Sequence, residues 1–92
     1  MKSIKVQVKF YFGARESFPS LNYAYRPHFV VEGDDEMLGI EFLKSDLKEY
    51  GVFGEAVVKP LFENVGYHKL KKGVYFRIVE GTTTVGKGYV LE

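Results

Sequence analysis

The chain has 92 residues, 13 basic against 12 acidic side chains, 46% apolar content with eight Phe and seven Tyr, and neither cysteine nor tryptophan. That length allows one domain with a small aromatic core, the missing cysteines exclude a disulfide scaffold, a thiolate zinc site and a cysteine nucleophile, and a net charge of +1 announces no nucleic-acid or membrane partner by itself. No apolar run approaches the ~20 residues of a membrane helix, and Met1-Lys2-Ser3 leads into alternating residues rather than a signal stretch, so the expectation is a soluble, cytoplasmic single domain over residues 1–92.

Ile4, Val6, Val8, Phe10 and Phe12 alternate with Lys5, Gln7, Lys9 and Tyr11, the period of a half-buried strand that Gly13 ends. The connection to Tyr25 carries Gly13, Ser17, Pro19, Ser20 and Asn22, all turn formers. After Pro27, His28-Phe29-Val30-Val31 reads as a strand closed by Gly33-Asp34-Asp35. The middle admits two readings. Met37, Ile40, Leu43 and Leu47 fall at helical spacing behind the capping candidates Asp34 and Asp35, whereas a strand over Leu38–Phe42 with a loop and at most one helical turn around Ser45–Tyr50 fits equally well. Gly39 weighs against the helix, costing about 1 kcal/mol relative to alanine.

The strand pattern returns over Glu55–Phe62, with Pro60 marking an edge or a bulge because it lacks a ladder N–H. A polar connection, Val65 to Gly73, precedes a strand Val74–Glu80; Gly81-Thr82-Thr83 then turns the chain into a last strand, Thr84–Leu91, thinned by Gly86 and Gly88 as a tightly curved barrel wall requires. Six short strands separated by turns predict an all-β chain forming a small, closed or nearly closed antiparallel barrel.

The motifs that carry chemistry are few. Gly81 to Gly88 nearly matches the phosphate-binding pattern G-x-x-x-x-G-K-[ST], but Gly88 stands where the magnesium-binding hydroxyl belongs, and too few residues follow for the required helix. A glycine-relieved hairpin is the better reading, and no nucleotide or cofactor is expected. His28 and His68 would need a third metal ligand; Asp34-Asp35-Glu36 lacks calcium-loop spacing and reads as a solvated turn. No nucleophile pairs with a base at readable spacing, so the chain is read as non-catalytic and metal-free. His68-Lys69-Leu70-Lys71-Lys72 is the one basic cluster, with Tyr67 and Tyr75 as candidate stacking platforms. Lys5 and Lys9 either extend this patch or protect a strand edge.

Two stretches, Gly13-Ala14-Arg15 leading to Tyr25-Arg26-Pro27-His28-Phe29, and Phe76 to Gly81 with Thr84-Val85-Gly86-Lys87-Gly88, resemble the C-terminal third domain of elongation factor Tu, with its G-G-R…G-Y-R-P-Q-F segment and closing E-G-G-R-T-V-G-A-G strand pair. The resemblance implies a six-stranded antiparallel barrel, the strand reading for Leu38–Phe42, and a stand-alone copy of a domain that in that factor contacts the tRNA T-stem backbone and the exchange factor. Carried onto this chain, RNA-facing positions fall on Arg15, Arg26, His28, Glu80 and Gly81. His28 replaces the family's glutamine and Thr83 its turn arginine, so the departures gather on the RNA-facing side. The expected function is a protein-interaction module whose partner the residues do not name, favoured by the tyrosine supply and the loop Glu16–Asn22; the alternative is weak tRNA or other RNA-backbone binding linked to translation.

Overall fold

The computed structural model describes residues 3–19, 25–62 and 66–92. Six strands, β1 (Ile4–Phe10), β2 (His28–Val31), β3 (Leu38–Ser45), β4 (Gly54–Pro60), β5 (Tyr75–Glu80) and β6 (Thr83–Val90), close into one antiparallel barrel in the order β1-β4-β3-β2-β5-β6, with β6 returning to β1. A single 3₁₀ turn, Tyr67–Lys69, is the helical content of the described residues, and no described helix is long and apolar enough to cross a membrane. Ser20, Leu21 and Asn22 of the long first connection and Val65 of the later one lie outside the described residues.

Alternation decides the interior. Val6, Val8 and Phe10 of β1, Phe29 of β2, Leu38, Ile40 and Phe42 of β3, Val58 of β4, and Phe76 and Ile78 of β5 point inward and are buried. Each contributes roughly 1.5–3 kcal/mol of burial. The rings of Phe29 and Phe76 stack at 3.9 Å across β2 and β5. A six-stranded ring has little room for this, and β6 supplies it: Gly86 and Gly88 stand inward over the side chains of Ile78 and Phe76 and against the backbone of Lys9 and Gln7.

The structure settles or revises several of these expectations. The first strand stops at Phe10, because the Phe10 carbonyl accepts the Gly51 N–H and Ala14 N–H bonds back to Tyr11 through a turn at Gly13. Phe12 therefore leaves the inward series and is 88% exposed. Of the two readings of the middle the strand holds and the helix fails: Ile40 is in the core while Met37 is exposed, and β3 runs past Phe42 to Ser45 through a bulge at Leu43. Ser45 then ends it, its hydroxyl donating to the Glu55 carbonyl at 2.8 Å and accepting from Leu47 N–H at 3.1 Å. Pro60 stands at an open flank, as expected, and not at a bulge, since among the described residues the β1–β4 pairing ends at Ile4 with Val58 and Pro60 pairs only with Ile40 of β3. It is the last residue of β4, and the flanking bonds, Ile40 N–H to Pro27 O and Leu61 N–H to Gly39 O, ask nothing of its nitrogen. Finally, a closed ring has no free edge, so Lys5 and Lys9 guard none.

Candidate functional site

Of the positions the resemblance points to, Arg15 and Glu80 share one internally satisfied corner and Arg26 belongs to another. Arg15, from the turn after β1, directs Nε to Glu80 Oε2 at 2.6 Å and a second nitrogen to the Ser17 carbonyl, and its guanidinium lies 5.4 Å from the Tyr25 ring centre. The Tyr25 hydroxyl donates to the same carboxylate oxygen. Burial, then the bond to the Glu80 anion, pushes the Tyr25 pKa well above its usual value. Arg26 bonds Glu41 at 3.0 Å, and Lys59 adds a contact at 3.4 Å on the other oxygen. Glu41 is nearly enclosed on the outer side of β3, so these cations neutralise a carboxylate that would be costly alone. His28 is half-buried in a shallow groove with Arg26, Gly39, Leu61 and Phe62. Gly81 is exposed at the tip of the β5–β6 turn, where φ of +61° suits glycine.

The basic cluster divides. Lys69 is held between Asp34 at 2.6 Å and Glu36 at 2.8 Å, and the other Glu36 oxygen accepts the Gly66 N–H. This clamp explains three linked shifts. Bonding to Lys69, helped by the N–H groups of Asp35 and Glu36, lowers Asp34 to about 2; Lys69 first, then Gly66, lowers Glu36; and the two carboxylates raise Lys69. Leu70 is a buried anchor, and His68, Lys71 and Lys72 are exposed. Tyr67 is no stacking platform. Its hydroxyl donates to the Gly39 carbonyl and accepts the Leu61 and Phe62 N–H groups at 3.3 Å, pinning the chain after β4. The near-match to a phosphate loop is the β5–β6 hairpin, with β6 where a helix would have to begin.

A further arrangement lies on the outer side of β5, β6 and β1. Arg77 stands opposite Lys87, and Lys87 opposite Lys9. All three alternate with inward residues, Phe76 and Ile78, Gly86 and Gly88, Val8 and Phe10, and so point to solvent. Beside this row runs an aromatic one: Tyr75 faces Tyr89 with ring centres 5.4 Å apart, and Phe53, just before β4, meets Tyr89 edge-on at 5.8 Å. Tyr75 is 54% and Phe53 40% exposed. Lys9 Nζ sits 4.9 Å from the Phe53 ring centre, and Arg77 bonds the Thr84 hydroxyl at 3.0 Å. Among the described residues none of the three cations has a carboxylate within ion-pair distance. Sequence reasoning singled out Tyr75 and Lys9 but missed Phe53, Tyr89, Arg77 and Lys87. The alternation that turns them outward is readable in each strand, whereas the register that aligns them across three strands is not. No protein-family model, curated protein or solved structure matches the chain, which leaves the geometry of these side chains as the guide to function.

Proposed function

We propose that the protein is a non-catalytic binding module, a barrel of the kind represented by the third domain of elongation factor Tu, and that its working surface is the outer face of β5, β6 and β1. The observation that carries this reading is the contact row Tyr75, Tyr89 and Phe53, large rings held against one another on a strand face and partly open to solvent. Contiguous exposed apolar surface on a small domain marks an interaction site, and Tyr, Phe and Arg are the residues that interfaces enrich. A cytoplasmic, translation-linked setting goes with the resemblance. The inherited RNA-facing set draws less support, because Arg15 is engaged by Glu80 and Arg26 by Glu41.

The test is recovery of a partner from the source cell on immobilised barrel, with nuclease and protease digestion to read its class. Wild type and Arg15→Gln are expected to recover the same partner, and the double variant Phe53→Ser with Tyr75→Ser to lose it. Equal recovery by the double variant, or none by wild type, would refute the assignment of this face.

A further inference from the structure

We infer that the partner of this face is single-stranded RNA, laid with its phosphates along Arg77, Lys87 and Lys9 and its bases over Tyr75 and Tyr89. This deepens the proposed function and rests on it. The argument begins with an electrostatic anomaly. Like charges directly opposite on neighbouring strands repel, and here two successive cross-strand pairs, Arg77 with Lys87 and Lys87 with Lys9, place three cations side by side. At a strand spacing of 4.7–4.9 Å the row spans about 10 Å. Among the described residues no carboxylate relieves it, although the chain has 12 acidic side chains and spends two of them on Lys69 alone. The row is satisfied by an anion from outside the chain.

The aromatic row decides what kind of anion. An isolated phosphate or a lipid headgroup has no use for stacked rings, whereas a single strand presents charge along one side and flat bases along the other, and every base can stack on an aromatic face. A duplex keeps its bases inside and could use only the cations. Two features give the strip ends. Lys71 and Lys72 occupy the exposed turn whose Gly73 N–H bonds the Val90 carbonyl, continuing positive charge beyond Tyr75. At the other end Glu55 of β4 stands opposite Gln7, and with Asp46 and Glu49 it outnumbers Lys48 in a shallow groove of about 430 Å³ beside Phe53, where a polyanion would be repelled. Gln7, in register with Tyr89, sets an amide with both donor and acceptor beside the stacking ring, the equipment that meets a 2′-hydroxyl and favours RNA over DNA.

The experiment is fluorescence anisotropy of labelled oligouridine with the intact chain, against single-stranded DNA of the same length, duplex RNA and heparin. Three phosphate contacts on a single strand give a slope of log K against log salt of about −2, hence a roughly fifteenfold loss between about 50 and 200 mM salt. Replacing the row in K9Q/R77Q/K87Q is expected to flatten the slope, while K44Q, which removes an exposed charge outside the row, leaves it. Tyr75→Ala is expected to weaken binding roughly tenfold and Tyr75→Phe to preserve it. Tyr75 is half exposed, so this pair reads stacking in a barrel whose fold circular dichroism confirms. Absence of binding at low salt, binding that Tyr75→Ala leaves intact, or equal affinity for heparin, duplex RNA or DNA would overturn the inference. If RNA fails while the Phe53→Ser and Tyr75→Ser double variant still loses its cellular partner, the RNA assignment falls and the working face stands.

Discussion

Gly88→Ala is the substitution the barrel should tolerate least for its size. A β-carbon there would press into the Gln7 carbonyl of β1 and stand 2.8 Å from Phe76 Cζ, about 1 Å short of the roughly 3.5–4.0 Å of an ordinary carbon contact. The Phe76 ring is buried and stacked on Phe29, so it cannot swing away, and the carbonyl belongs to the neighbouring strand. Relief requires β6 and β1 to part by about 1 Å, which sacrifices the ladder bonds on either side of Gly88. Two such bonds at about 1 kcal/mol each, with 1–3 kcal/mol of overpacking against Phe76, give a loss of roughly 3–5 kcal/mol. A domain of this size holds roughly 5–14 kcal/mol in all. Urea unfolding followed by circular dichroism measures the loss directly. Gly13→Ala is the matched control: φ is +83° there, but the added methyl meets nothing within 4 Å, so only the left-handed backbone costs, about 1–2 kcal/mol. If Gly88→Ala costs no more than Gly13→Ala, the β1–β6 seam is not the close contact described.

Two further perturbations follow from side-chain chemistry. Asp34 and Glu36 have pKa values below their usual 3.8 and 4.5, Asp34 at about 2; a lowered carboxylate contributes stability that is complete above the unfolded pKa and lost as pH falls through the folded one. The melting temperature should therefore drop between about pH 4.5 and pH 2, and Asp34→Asn should lower it at pH 7 and shrink that acid-side drop; an unchanged acid limb would refute the clamp on Lys69. The Tyr50 ring meets Phe12 and Phe18 edge-on, and its hydroxyl is buried with no hydrogen-bond partner among the described residues. Tyr50→Phe should be neutral or stabilising by up to about 1 kcal/mol in urea unfolding, and a loss larger than that would reveal an acceptor.

What could be read from residues alone was whatever depends on one strand at a time. Val6, Val8 and Phe10 alternate because a pleat has period two, and β2 lies where Pro27 and Gly33 bound it. Phe12 obeys the same period and still leaves the core, because Gly51, forty residues on, takes the Phe10 carbonyl. Lys69 looked like its neighbours Lys71 and Lys72 until the turn after β2 brought Asp34 and Glu36 onto it. The cationic row was illegible for the same reason: Lys9, Arg77 and Lys87 meet only through the register of β1, β5 and β6, and register is a property of the assembled sheet.

Closure also sets how the fold is reached. β1 pairs with β4 and β6, whose sequence lies roughly 50 and 80 residues away, and β6 pairs at once with β1 and β5. Local contacts cannot zip such a ring, and the loop entropy of joining distant strands must be spent before their pairing returns it. Folding in the millisecond-to-second range is the consequence. Until Thr83–Val90 docks, β1 and β5 each present an unpaired flank, and Phe76 and Ile78, over which Gly88 and Gly86 come to lie, are uncovered on one of them. The last strand is thus the latch of the barrel, and aggregation during refolding should track whether β6 is present to seat.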